Sequence, residues 1–257
     1  MRILLTNDDG IYAPGILAMH GVLTDMGPVD VVAPETVQSG GSHAITIRHP
    51  VLWRSIQVGD KFTGTSVEGT PGDCVKLAIN ALLGQRPDLV VSGINAGLNT
   101  GIHVLYSGTV AAAIEAAILG CPAIAVSFEL YKDMEFDIAA GIARSVIDRI
   151  GQEGFVPGTV YNINIPELKP GLPRGVRVAP QSILPMDERI ERRSDPYGRE
   201  YYWLTGDFKN IGGESDTDRY MIQEGYVCVT PLRFDLTERT LMKKMEKWEW
   251  PDVATKL

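Results

Sequence analysis

Near the start of the chain, Ile3-Leu4-Leu5-Thr6-Asn7-Asp8-Asp9-Gly10 is a short apolar run that closes on two adjacent carboxylates and a glycine. A strand without polar/apolar alternation has both faces covered, which is the situation of a parallel strand between helical layers. Polar residues then collect at its carboxyl edge, where open α/β sheets bind ligands near a reversal of strand order. Asp8 and Asp9 would sit there. Neighbouring carboxylates repel, so a shared site needs either a proton on one of them or a cation between them, and a divalent metal is the simpler solution. The same residues also read as a plain polar turn, with Gly10 supplying a positive φ angle and the aspartates capping the next helix.

The chain has 257 residues, enough for one large α/β domain or a domain with an appendage. A net charge of −8 argues against a grip on duplex nucleic acid. Small anionic substrates remain compatible with that charge, because a bound metal inverts the local field. Cys74, Cys121 and Cys228 are odd in number and widely spaced, as reduced thiols in a cytoplasm are. No leader-like segment precedes the first strand and no apolar run is long enough to span a bilayer. The expectation is a soluble cytoplasmic protein without membrane partners.

After Gly10, Pro14 opens a helix with Ile16, Met19, Leu23 and Met26 at helical spacing, and Val29 to Pro34 is the next buried strand. The loop from Glu35 to His43 holds Ser39, Gly40, Gly41 and Ser42, whose backbone N–H groups and hydroxyls suit an anion or simply a flexible turn. From 44 to 67 the pattern turns to short β runs, Ala44 to Ile47 and Val51 to Trp53, which reads as a hairpin-like excursion. Thr70-Pro71-Gly72-Asp73 opens a helix with the residues of a capping box. Asp88 to Gly93 is a further apolar strand, running into a Gly/Asn-rich loop through Asn95, Gly97, Asn99 and Gly101 to Tyr106-Ser107-Gly108-Thr109. An alanine-rich helix follows, and Ser107 at its start reads both as an N-cap and as part of a phosphate-binding turn. Strands at Ala123 to Ser127, Thr159 to Ile165 and Gly175 to Ala179 surround a helix over Phe136 to Ile150, with Ile138, Ile142, Val146 and Ile150 on its buried face.

The expected fold is α/β, with a mostly parallel sheet over residues 1–185 and a β-rich C-terminal arm with a last helix over 186–257. The arm carries the aromatic run Tyr201 to Leu204, strand character at Tyr226 to Thr230 and a helix from Thr237 to Lys247, with Thr237 as its cap. It reads either as an oligomerisation segment or as strands laid back on their own domain.

Three strand-end loops offer oxygen ligands: Asp8 and Asp9 from the first, Ser39 from the second, Asn95 from the third. Such a set suits one hard cation per subunit, Mg²⁺ or Mn²⁺, rather than structural zinc. Glycines at 40, 41, 97, 101 and 108 let backbone donors surround an anion beside it. Metal and anion cradle together suggest phosphoryl chemistry.

Ile3 to Gly10, Ser39-Gly40, Thr70-Pro71 with Asp73 to Lys76, Ser92 to Asn95 with Gly97 and Asn99, and Tyr106 to Val110 together resemble the SurE family, metal-dependent nucleotidases also called survival proteins. The resemblance covers about the first two thirds of the chain. It implies a Rossmann-like three-layer α/β/α body, removal of phosphate from nucleoside 5′- and 3′-monophosphates, and a homodimer or homotetramer whose C-terminal arms are exchanged. It also implies Asp8, Asp9, Ser39 and Asn95 as metal ligands, with Asp8 and Asp9 at the chemistry. Asn7, Gly40, Gly41, Ser42, Asn99, Ser107, Gly108 and Thr109 are then the candidate phosphate contacts. His43 and His103 are loop histidines outside this core assignment.

Two other readings use paired acids after a first strand. A haloacid-dehalogenase-type phosphatase needs an Asp-x-Asp spacing, which adjacent Asp8 and Asp9 lack. A non-enzymatic Mg²⁺-binding signalling module needs a phosphorylatable aspartate at a later strand end, where this chain has Ser92-Gly93-Ile94-Asn95.

Overall fold

A computed structural model describes residues 1–169, 171–185, 187–207 and 215–253. The strands are β1 (Ile3–Thr6), β2 (Val29–Pro34), β3 (Leu52–Val58), β4 (Phe62–Glu68), β5 (Leu89–Ala96), β6 (Ala123–Phe128), β7 (Val160–Ile165), β8 (Val176–Val178), β9 (Asp187–Ser194), β10 (Glu200–Asp207) and β11 (Val227–Leu232). Among the described residues they form a nine-stranded sheet, β3-β4-β2-β1-β5-β6-β7-β11-β8, and a separate β9-β10 hairpin. Within the nine-stranded sheet pairing is parallel from β4 through β2, β1, β5 and β6 to β7 and between β11 and β8, and antiparallel at β3-β4 and β7-β11.

The helices are α1 (Pro14–Leu23), α2 (Pro71–Leu77), α3 (Gly108–Ile118), α4 (Phe136–Glu153), α5 (Asp218–Gln223) and α6 (Arg239–Met245). Successive residues of β1 face opposite layers, as strand geometry requires. Ile3 and Leu5 pack with Ile16 and Met19 of α1 and Ala143 and Ile147 of α4. Leu4 packs with Val75 of α2 and Val110 and Ala113 of α3. The result is the expected three-layer α/β/α body.

Several local expectations shift. Residues 44–47 are not a strand. The Thr46 N–H donates to Asp73 Oδ1 at 2.9 Å and the Ala44 carbonyl accepts the Thr70 hydroxyl at 2.8 Å, so the start of α2 captures groups a sheet neighbour would have used. The buried face of α4 is Ala139, Ala140, Ala143, Val146 and Ile147, while Ile138 is exposed, because the small alanines let the helix lie close to the sheet. The cap of α6 is Glu238, whose carboxylate accepts the Thr240 and Leu241 N–H groups, not Thr237.

The segment beyond 185 divides. The charge-rich strand Asp187–Ser194 pairs with the aromatic run as the β9-β10 hairpin, whereas β11 lies inside the main sheet between β7 and β8. The polar residues from Lys209 to Arg219 lie in part outside the described residues. Among the described residues no helix is long and apolar enough to cross a membrane.

Candidate active site

Strand β1 has β2 on one side and β5 on the other, and the chain fills the sheet outward in both directions from there. This is a reversal of strand order, the place at the carboxyl edge where open α/β sheets bind ligands. Asp8 lies at this edge, 3% exposed. The Asp8 carbonyl accepts the Gln38 N–H at 2.8 Å, which joins the loop after β1 to the loop after β2. Its Oδ1 accepts the Thr109 hydroxyl. Asp9 reaches the third loop, its Oδ2 accepting the Ala96 N–H at 3.1 Å.

The first turn of α3 is built for this approach. Ser107 is the N-cap, its hydroxyl accepting the Val110 N–H at 3.1 Å. Gly108 follows, and a Cβ on it would stand 2.9 Å from Asp8 Oδ2. Burial pushes the Asp8 carboxyl up from its ordinary pKa and the charge of Asp9 adds to this, while the Thr109 hydroxyl and nearby N–H groups oppose it. Burial also raises Asp9, against the Ala96 N–H. Both carboxylates are therefore ionised at a cost that a bound cation would remove.

Other oxygens fit that cation. The Asn95 amide nitrogen donates to the Gly97 carbonyl at 2.7 Å, so Oδ1 is the side-chain atom of Asn95 that could face a cation. Asn7 braces the turn, its amide nitrogen donating to the Gly10 carbonyl at 2.8 Å, while its buried Oδ1 has no hydrogen-bond partner among the described residues. Gly10 has φ +97°, as the turn reading required. Ser39 is exposed beside Gln38. Among the described residues no three His, Cys, Asp or Glu side chains gather into a metal cluster. Two carboxylates with neutral oxygens suit a hard divalent ion.

The remaining candidates separate. Thr109 and Gly108 touch Asp8 directly. Ser42 is a strut, its N–H donating to the Tyr106 carbonyl at 3.1 Å and its hydroxyl to the Leu105 carbonyl at 2.7 Å. Gly40 and Gly41 lie exposed before it. Asn99 is turned into a buried polar cluster, donating to the Ser127 hydroxyl at 2.8 Å. His43 pairs with buried Glu115 at 2.9 Å, and Lys76 pairs with the same carboxylate at 2.6 Å. Burial lowers the pKa of His103, with the charge of Arg219 acting in the same direction.

Sequence reasoning missed Thr6 and Ser92, register partners at the end of β1 and in the middle of β5 whose buried hydroxyls have no partner among the described residues. It also missed Glu115, the single acid in an alanine-rich helix, which was a readable signal.

A family model described as Survival protein SurE matches residues 3–187. The chain belongs to the SurE family. It is 42% identical over 248 residues to the 5′-nucleotidase SurE of Syntrophobacter fumaroxidans, covering 96% of this chain and 99% of that one. It is 46% identical over 249 residues to the 5′-nucleotidase SurE of Rhodopirellula baltica, covering 96% and 98%. The SurE protein from Aquifex aeolicus superposes with a TM-score of 0.84 at 38% identity, covering 96% of this chain and 98% of that one. The SurE resemblance read from the strand-end motifs is thus borne out, and so is the fold it implied.

Proposed function

We propose that this chain is a divalent-metal-dependent phosphomonoester hydrolase that releases phosphate from nucleoside monophosphates. The observation that carries this reading is the seating of the Asp8 carboxylate against Gly108 and Thr109, which places an anionic ligand beside a helix N-terminus. Relatives named 5′-nucleotidase support it. Asp8, Asp9, Ser39 and Asn95 would hold one Mg²⁺ or Mn²⁺ ion. Such an ion neutralises phosphate charge and lowers the pKa of an attacking water.

The chain's own groups then bind and orient. N–H groups of the Gly40-Gly41 turn and of the first turn of α3 face an anion with positive partial charge and stabilise charge developing on the phosphoryl oxygens. Ser107 and Thr109 fix that turn, and Ser42 ties the second loop to it. Asp9, held by the Ala96 N–H, orients water; as a metal ligand it is a weak base, so its first role is ligation.

A homo-oligomer is part of this reading, supported by the exposed Ile190, Tyr202, Trp203 and Leu204 on the β9-β10 hairpin. Three buried free cysteines support a reducing, cytoplasmic setting. The test is phosphate release from AMP and GMP with and without a chelator, metal by metal. Release that stops with chelator and returns with Mg²⁺ or Mn²⁺ is expected. Metal binding without turnover would favour a binding module instead, and a trapped phosphoenzyme lost in Asp8→Asn would favour covalent phosphatase chemistry.

A further inference from the structure

Asp218 opens α5, beyond the hairpin, and is fully buried. Its Oδ2 accepts the Gly101 N–H at 2.8 Å, and its Oδ1 accepts the N–H groups of Ser182 at 2.9 Å and Arg219 at 2.8 Å. Its own N–H donates to the Pro180 carbonyl at 2.9 Å. The Gly101 carbonyl in turn accepts the Gln181 side-chain amide at 2.8 Å. Gly101 has φ +55°, and a Cβ there would lie 2.8 Å from Arg219 Cδ. Both polar groups of Gly101 are therefore held by segments 180–182 and 217–219.

Gly101 lies in the loop between Asn95 and the Ser107-Gly108-Thr109 turn. That loop has a second anchor at Asn99, whose N–H donates to Asn164 Oδ1 at 2.8 Å and whose carbonyl accepts the Asn162 amide at 2.8 Å. The sheet does not require Asp218, because β11 carries its own ladder to β7. Burying a carboxylate is costly, and three converging N–H donors account for the choice of a group that only accepts. An asparagine would turn its NH₂ toward one of those donors whichever way it flipped.

We infer that Asp218 is a positioning residue for phosphate release: by holding Gly101 it fixes the loop that leads into Ser107, Gly108 and Thr109, so chain beyond the hairpin completes the reaction centre. This rests on the nucleotidase reading above.

The test uses the full-length protein loaded with Mg²⁺ or Mn²⁺ and AMP as substrate. In Asp218→Asn, kcat should fall about 10²-fold, the scale of a small misplacement of catalytic groups. KM should change less than about threefold, since the lost contacts matter most as charge develops. Exchange of the Gly101 amide with solvent should speed at least about tenfold while the β5 amides stay unchanged. Glu224→Gln, which alters the exposed pair with Arg174 at the other end of α5, should leave kcat at the wild-type value.

If Asp218→Asn does not fold, Gln181→Ala removes only the other hold on Gly101 and should lower kcat about threefold or more with faster Gly101 exchange. A folded Asp218→Asn with wild-type kcat and Gly101 exchange overturns the inference, as does activity that falls only in proportion to unfolded protein. If the wild-type protein releases no phosphate from any nucleotide, the nucleotidase reading fails, and Gly101 exchange still judges the anchor.

Discussion

Gly108 and Asp8 are packed so closely that a Cβ on the glycine would come within 2.8 Å of the aspartate Cβ. The glycine lies in a helix, a conformation alanine also prefers, so Gly108→Ala should not impair α3 itself. Its effect should fall on Asp8. We expect a melting temperature close to wild type and kcat/KM lower by about 10²-fold, read from thermal melts beside phosphate-release kinetics. Full activity would show that the helix can retreat without consequence.

Asp8 combines burial with a charged neighbour, so the metal-free fold carries an unfavourable carboxylate. Asp8→Asn should therefore raise the stability of chelator-treated protein by about 1 kcal/mol, seen as a rise of a few degrees in Tm. In the presence of metal the same variant should lose about 10³-fold in kcat. Scanning calorimetry in chelator checks the first expectation; a Tm below wild type would contradict it.

Asp73 behaves in the opposite sense. Burial resists its ionisation, but hydrogen bonds from Thr46 and Thr70 outweigh that and hold its pKa below the ordinary 3.8. Its stabilising contribution is fully present above the unfolded-state value and is lost as pH falls through the lower folded-state value. Asp73→Ala should cost about 1 to 2 kcal/mol near neutrality, the range for a lost helix cap. The gap between wild type and Asp73→Asn should close as pH drops below about 4, measured by urea midpoints across the pH range.

Glu115 is buried between His43 and Lys76. Burial opposes its ionisation, and the two partners nevertheless hold its pKa below the ordinary value. In Glu115→Gln both partners can still reach water, since their side chains are 32% and 39% exposed. The cost should therefore be about 1 to 3 kcal/mol, less than for a fully enclosed pair. Because His43 follows the Ser39 to Ser42 turn, KM for AMP should rise as well. Denaturant titration and steady-state kinetics give the two numbers independently.

Local chemistry made much of this molecule readable. The unbroken apolar runs at Ile3 to Leu5 and Leu89 to Val91 announced doubly covered parallel strands, and Thr70 with Asp73 announced a reciprocal cap that the structure contains. What failed locally failed for tertiary reasons. Ala44 to Ile47 has strand-like residues but gives its hydrogen bonds to the start of α2, and α4 buries alanines that a search for large apolar residues passes over. Asp8, Asp9 and the Ser107 to Thr109 turn were legible because strand ends gather at one edge. The hold of Asp218 on Gly101 was not, since 117 residues separate the partners and no periodicity links them.

The place of β11 between β7 and β8 sets an order on biosynthesis. Among the described residues strand β8 is joined to the sheet through β11 alone, which the ribosome makes after the whole hairpin. Until then β7, buried along most of its length in the finished molecule, presents an unpaired edge of backbone N–H and C=O groups. A message cut short inside the hairpin thus yields a sticky nascent chain destined for chaperones or proteolysis, not a smaller working enzyme.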